Sequence, residues 1–374
     1  MDLVKLREEI DCIDRQIVEL YEQRMEVAGK VAEYKLETGK KVFDRVREQE
    51  KLQKVRSLTR KEENSQGIEE LFEQIMSMSR KLQYRILAQK GVTGRLPFIG
   101  IDGLDRNARV VFPGAQGAYT QAAMEEYFGK DVDSIHVDSF RDAMMALDEG
   151  SADYAVLPIE NSTAGIVNEI YDLLVEFENY IVAEQIIRIE HCLLALPGTR
   201  LEEIKTVYSH PQSLMQSSRY LEEHPEWQQI SMGNNAFAAR KVAQEGDRTQ
   251  AAIAGVHAAQ TYGLEVLEKG VNKSNINSTR FIVVTNQKVF LKDAKKVSIC
   301  FEIPHESGSL YRMLSHFIFN NLNLNKIESR PIEDRNWEYR FFIDFDGNLA
   351  DSAVRNALRG LRDEARYLKV LGNY

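Results

Sequence analysis

Apolar positions recur by threes and fours from the first residues of the chain. Leu3, Leu6, Ile10, Ile13, Ile17, Leu20, Val27, Val31 and Tyr34 fall on one stripe, and Arg24 interrupts it. This period predicts one amphipathic helix of about 35 residues, roughly 50 Å long, closed by Gly39. A second helix is expected from Arg45 to about Arg60. A third runs from Ile68 to about Gln89 through Leu71, Ile75, Ser79, Leu82 and Ile86. Residues 1–90 therefore read as all-helical.

Past residue 107 the pattern changes. Over 108–286, short β-rich runs each end in a small-residue loop with a helix after it. Arg109–Phe112 leads into Gly114–Thr120, Tyr154–Leu157 into Glu160–Gly165, Thr206–Tyr208 into Ser209–Gln212, and Ala251–Ala254 into Gly255. The alternation predicts α/β sheets with mainly parallel strands and a ligand at their carboxyl ends. Over 295–374 the order is strand (Val297–Ile303), helix (Ser309–Asn320), strand (Asn325–Arg330), strand (Trp337–Phe345), helix (Ala350–Ala365), strand (Leu368–Leu371). This βαββαβ order predicts a small ferredoxin-like module. Residues 91–107, with four glycines, one proline and no sustained period, read as a linker.

Composition sharpens these boundaries. Residues 1–90 hold 19 Lys/Arg against 18 Asp/Glu, whereas the whole chain of 374 residues carries a net charge of −9. All eight prolines lie at or after Pro97. An acidic chain is a poor reader of nucleic-acid phosphates. No apolar run approaches the roughly 18 residues of a membrane span, and Met1–Ile10 has no signal core, so a cytoplasmic protein is expected. Cys12, Cys192 and Cys300 are too scattered for a disulfide framework or metal knuckle, and the histidines show no metal spacing. No GxGxxG follows a strand, so a dinucleotide-dependent dehydrogenase lacks its phosphate cradle, and no cofactor is expected.

Arg24 carries the first chemical signal. An unpaired guanidinium in an apolar seam costs several kcal/mol, so it needs an anionic partner. A seam glutamate of the same chain is one candidate and a ligand is the other. Arg7 and Lys35 share the heptad position beside the seam, Ser79 and Gln83 lie one turn apart on the third helix, and Asp44, Arg47 and Glu48 open the second. Arg7 and Arg24 are 17 residues apart, about 25 Å along one helix. They can grip one small dianion only if a second copy of the helix runs antiparallel alongside. On the ligand reading, a dry dicarboxylate pocket partly built by two subunits is expected.

Leu6–Ile10, Arg24, Val31–Lys35, Asp44–Glu48 and Ser79-x-x-x-Gln83 together resemble the all-helical chorismate mutase family. The resemblance implies a pericyclic rearrangement of chorismate to prephenate, catalysed by conformational restriction and charge stabilisation. It implies that Arg24 and a partner subunit's Arg7 hold the two carboxylates and that Arg47 lines the pocket. Lys35 and Gln83 would hydrogen-bond the breaking ether, Glu48 and Asp44 the ring hydroxyl, and Ser79 would support a carboxylate.

In the central segment, Gly114–Thr120, Pro158–Ser162 with Ala164-Gly165, Ser209–Gln212 and Asn277–Phe281 are each commonplace turn or capping chemistry. Together they resemble prephenate dehydratase. The family fold is two α/β lobes like those of periplasmic binding proteins, with the site in the cleft. The resemblance implies substrate contacts from Glu160, Asn161, Ser162, Ser209, His210, Arg280 and Phe281. It assigns Thr279 to the departing hydroxyl and Arg280 to a carboxylate. A threonine is a poor acid, so Glu160 and His210 both stand open as the proton's source.

The C-terminal pattern, with Gly308-Ser309-Leu310 at a helix start and Glu328-Ser329-Arg330-Pro331 after a strand, resembles an ACT domain. The resemblance implies phenylalanine held as an effector between paired modules, with Ser309 standing where alanine is usual. The whole reads as a bifunctional enzyme of phenylalanine biosynthesis, a homodimer or homotetramer that feedback inhibition controls. An arogenate dehydratase in the middle segment and a non-catalytic sensor are the alternatives.

Overall fold

The computed structural model describes residues 2–91, 96–273, 276–332 and 335–374. Residues 92–95 of the expected linker lie outside them. The chain divides into two compact units, Met1–Pro97 with Lys295–Lys369, and Phe98–Ala294 with Val370–Tyr374.

The first unit opens with α1 (Leu3–Thr38), α2 (Arg45–Ser57) and α3 (Ser65–Gln89). The Asp2 carboxylate accepts the Val4 N–H at 3.0 Å to cap α1, and Gly39 ends it in the left-handed region at φ +68°. Residues 2–20 are exposed throughout, apolar stripe included. Only from Ala28 does α1 bury residues against α3, where a Cβ on Gly29 would lie 3.7 Å from Ile86. Helix α3 is covered on several sides, and Ser77, Ser79, Arg80, Lys81 and Gln83 are all buried.

In the second unit the first lobe holds β1 (Ile99–Ile101), β2 (Val110–Pro113), α4 (Tyr119–Phe128), β3 (Ser134–Val137) and α5 (Phe140–Asp148). It continues with β4 (Tyr154–Asn161), β5 (Gly165–Ile166), α6 (Asn168–Glu176) and β6 (Tyr180–Arg188). The chain then crosses to β7 (Cys192–Ala195), β8 (Thr206–Ser209), α7 (Pro211–Gln216), α8 (Ser218–Glu222) and β9 (Gln228–Ser231). The second lobe closes with α9 (Asn235–Glu245), β10 (Gln250–Ala254), α10 (Val256–Tyr262) and β11 (Glu265–Lys269). β12 (Ser278–Thr285) and β13 (Val289–Leu291) return to the first lobe, where β13 pairs with β1.

The sheet orders are β6-β12-β4-β2-β3 and β11-β7-β10-β8-β9. The expectation of mainly parallel strands is corrected here. β2 pairs in parallel with β3 and β4, and β8 with β9 and β10, but β12 is antiparallel to β4 and β6, and β7 to β10 and β11. Strands entered from the opposite lobe arrive reversed, and a local alternation pattern does not reveal this. The second-lobe sheet buries both faces: Cys192 and Leu194 pack on one side, Leu193 and Ala195 on the other. That is why its strands read as unbroken apolar runs.

The C-terminal segment runs β14 (Lys296–Glu302), α11 (Ser309–Phe319), β15 (Leu324–Pro331), β16 (Tyr339–Asp346), α12 (Ser352–Glu364) and β17 (Tyr367–Asn373), in sheet order β15-β16-β14-β17, and from Val370 on its residues belong to the second unit. This is the expected βαββαβ arrangement. α11 and α12 cross at Gly360, where any Cβ would stand 2.4 Å from the His316 ring.

Candidate active sites

In the helical site Arg24 projects from the α1 seam onto α3. Its Nη1 donates to Ser79 Oγ and, at 3.4 Å, to the Ile75 carbonyl, which also accepts the Ser79 hydroxyl at 2.9 Å. Among the described residues no carboxylate forms an ion pair with Arg24, and its bonded acceptors are neutral. Burial lowers its pKa from the ordinary value, with Tyr21 and Glu48 opposing. Lys35 donates to the Val42 carbonyl at 2.7 Å, and burial lowers its pKa too. The cation is thereby a readier hydrogen-bond donor to a weak acceptor.

Asp44 caps α2 by accepting the Arg47 N–H at 3.1 Å, and the Arg47 side chain itself is 72% exposed beside Glu50. Arg7 stands on the uncovered half of α1. Gln83 is 6% exposed and its Oε1 has no partner among the described residues, so a buried amide end is left for a ligand to satisfy. Glu48 is bonded through Oε2 to Arg80 Nη1, and Arg80 Nη2 donates to Glu364 Oε1 at 2.9 Å. Burial opposes the Arg80 charge, but the two carboxylates outweigh it and raise the pKa. A cavity of about 600 Å³ borders this cluster, lined by Phe43, Glu48, Met76, Arg80, Met313 and Glu364 among others. Arg80 and Glu364 escape a sequence reading. Arg80 with Lys81 looks like a solvated pair, and Glu364 lies 284 residues from Arg80.

The second site forms where the two lobes meet. Asn161, the last residue of β4, stands opposite Thr279 of β12. Its Nδ2 donates to Thr279 Oγ1 at 2.9 Å and to Asn277 Oδ1 at 2.8 Å, while its Oδ1 accepts the N–H groups of Thr163 and Ala164. With one lone pair engaged by Asn161, the Thr279 hydroxyl keeps its proton available for another acceptor. Asn277 Nδ2 donates to Gln216 Oε1 at 3.1 Å, and Gln216 Nε2 to Thr163 Oγ1 at 2.9 Å. Because its amide nitrogen is so committed, the Gln216 oxygen must accept from His191 Nε2, 2.9 Å away, leaving Nδ1 to face the Tyr119 hydroxyl at 3.0 Å. Burial lowers the His191 pKa and holds the ring neutral.

The other expected residues fall around this network. Ser162 bridges to Ile276 and Ser278. Ser209, fully buried, donates to the Ile253 carbonyl at 2.6 Å. His210 caps α7, its Nδ1 accepting the Gln212 N–H at 3.2 Å, and burial lowers its pKa. Arg280 lies near Glu160 at 3.5 Å and Glu184 at 3.6 Å. Phe281 is corrected: it is buried in the first-lobe core with Val110 and Phe112, and the bulge opposite it puts the extra residue, Ile159, on β4 while β12 stays regular from Ser278 to Val283. Tyr119, His191, Gln216 and Asn277 were missed in their roles, although Tyr119 and Asn277 lie within the recognised motifs and Gln216 just past one. No local signal pointed to His191.

In the C-terminal module Gly308 adopts φ +75° before α11, and the buried Ser309 hydroxyl accepts from Arg312 at 3.1 Å. Gly308, Ser309 and Leu310 line a cavity of about 410 Å³ with Tyr339 and Phe341. Glu328, Ser329, Arg330 and Pro331 lie instead on β15, the end strand of its sheet.

A chorismate mutase type II family model matches residues 6–84, and a prephenate dehydratase model matches residues 110–289. Two bifunctional chorismate mutase/prephenate dehydratases, from Buchnera aphidicola subsp. Schizaphis graminum and Escherichia coli K12, are each 33% identical, over all of this chain and 96% of theirs. Among solved structures, the prephenate dehydratase of Arthrobacter aurescens in complex with L-Phe superposes with a TM-score of 0.66. It is 30% identical over 71% of this chain and 89% of that one. GqqA, described as a novel type of quorum quenching acylase, also scores 0.66, at 28% identity over 71% of this chain and 97% of its own.

Proposed function

From the premise that the chain belongs to the family of bifunctional chorismate mutase/prephenate dehydratases, we propose how its residues divide the two reactions. Helices α1–α3 rearrange chorismate to prephenate. The observation that carries this is Arg24, half-buried between α1 and α3 with only neutral acceptors and therefore fit for a carboxylate. Lys35 and Gln83 face the ether oxygen as its C–O bond breaks, and Glu48 and Asp44 take the ring hydroxyl. Ser79 orients Arg24. Arg47, out in solvent, and Arg7, on the uncovered half of α1, complete the pocket when a second copy lays its α1 antiparallel on the first. The exposed apolar stripe supports that pairing, since an unpartnered amphipathic helix is marginal in water.

The two-lobed unit converts prephenate to phenylpyruvate. The bond to the ring carboxyl breaks and releases carbon dioxide, its electron pair completes the aromatic ring, and the ring hydroxyl departs as water after taking a proton. Thr279, its lone pair engaged by Asn161, donates toward that hydroxyl. His191, Gln216 and Asn277 hold the donor in register, and the neutral His210 borders the site. Glu160 and Glu184 hold Arg280 at the strand's edge rather than leaving it free for a substrate carboxylate. Phenylalanine binds at Gly308-Ser309-Leu310, with Glu328–Pro331 supplied by a paired module. Supplying purified protein with chorismate and following prephenate loss and phenylpyruvate absorbance tests the reading. Absence of either product refutes it, and calorimetry with phenylalanine tests the effector site.

A further inference from the structure

We propose that Arg80 and Glu364 are positioning residues of the mutase site: the C-terminal module holds Arg80, and Arg80 holds Glu48 with one carboxylate oxygen free for substrate. The inference rests on the assignment of Glu48 to the ring hydroxyl. Arg80 divides its guanidinium between two carboxylates, Nη1 on Glu48 Oε2 and Nη2 on Glu364 Oε1. It is 5% exposed and stacks 4.9 Å from the centre of the Phe43 ring, so it has little freedom to move. A guanidinium left to one carboxylate closes on it with two parallel bonds. Sharing prevents that closure on Glu48, so Oε1 of Glu48 stays available.

The second carboxylate is itself fixed. Glu364 Oε1 also lies 3.0 Å from His316 Nε2, and His316 is wedged against Gly360 where α11 and α12 cross. The turn of α3 that follows Arg80 is tied down as well. Lys81 Nζ donates to Ser315 Oγ at 2.8 Å, and Tyr84 donates to Asp363. Burial pushes the Lys81 ammonium down to about 8. The mutase site is thus completed by a module almost 300 residues away in the chain.

The test is a double-mutant cycle in the full-length protein, with mutase and dehydratase assayed separately. Glu364→Gln keeps both acceptor contacts and removes only the charge. It is expected to lower mutase kcat/KM about five- to fiftyfold, the range of coupling between contacting residues. Arg80→Met should lower it at least as much, and Arg80→Lys should recover part. Both losses should vanish in a Glu48→Gln background, which a merely structural role would not produce. Ser315→Ala, which leaves Lys81 its bond to the Ser315 carbonyl, should keep wild-type mutase rates, and dehydratase rates should hold throughout. Additive losses, or a wild-type rate in Glu364→Gln while Glu48→Gln is impaired, overturn the proposal alone. A wild-type rate in Glu48→Gln overturns the assignment of Glu48 and the proposal with it.

Discussion

Replacing Thr279 by valine removes one hydroxyl and keeps the β-branched shape that suits β12. On the folding side the loss is small. Asn161 Nδ2 gives up its 2.9 Å bond to Thr279 but retains Asn277 Oδ1 at 2.8 Å and the Ser278 carbonyl at 3.2 Å. About 1 kcal/mol is the expected cost, the net worth of one neutral hydrogen bond. On the catalytic side the departing hydroxyl loses the hydrogen bond that orients or relays its proton, and placed proton transfer contributes roughly 10²- to 10⁴-fold. That is about 3–5 kcal/mol on the barrier. Dehydratase kcat/KM, read from phenylpyruvate absorbance with prephenate as substrate, should therefore fall at least a hundredfold. The mutase rate and the denaturant midpoint should barely change. A dehydratase rate within threefold of wild type, in a folded protein, would refute the assignment of Thr279 and the directional argument from Asn161.

Arg24→Met should cost the mutase about 10²- to 10³-fold in kcat/KM, as expected when a preorganised charged donor is removed, with dehydratase kinetics unchanged. Ile13→Glu with Ile17→Glu places charge on the uncovered stripe of α1. It should shift the sedimentation of the protein toward monomer and abolish mutase activity, provided Arg7 comes from a second copy. Gly360→Ala forces a methyl group into the His316 ring and should destabilise the first unit by about 1–3 kcal/mol, seen as an earlier thermal transition. Burial lowers the pKa of His191 and of His316, the latter against the pull of Glu364. Below the ordinary value near 6.5 the unfolded chain then binds more protons than the folded one. Denaturant midpoints should therefore fall from pH 7 to pH 5.5 and be flat just above neutrality as far as these groups are concerned; a midpoint that rises on acidification would contradict the burial argument.

Element types and most of their limits were legible in the chain, because periodicity and caps are local. Gly39 closes α1 and Asp44 caps α2, at positions a sequence reader can mark. The βαββαβ order of the C-terminal module follows from the same signals. The sites divided differently. Arg24, Ser79 and Lys35 could be paired by helix spacing, and Thr279 and Asn161 by their motifs. Phe281 could not be placed correctly, since only the packing of the first lobe shows that its core covers this side chain.

By itself, the sequence determined what each segment becomes and which polar residues sit where an apolar one would pack better. Only the tertiary structure decided that Arg24 meets no carboxylate among the described residues, that strands shared between the lobes run antiparallel, and that His191 is linked through Gln216 and Asn277 to Asn161, the partner of Thr279. It alone brought Glu364 to Arg80. The physical reason is range: helix and strand propensities act over a few residues. Ion pairs and buried hydrogen bonds depend on which groups folding excludes from water together, and nothing local in the chain encodes that.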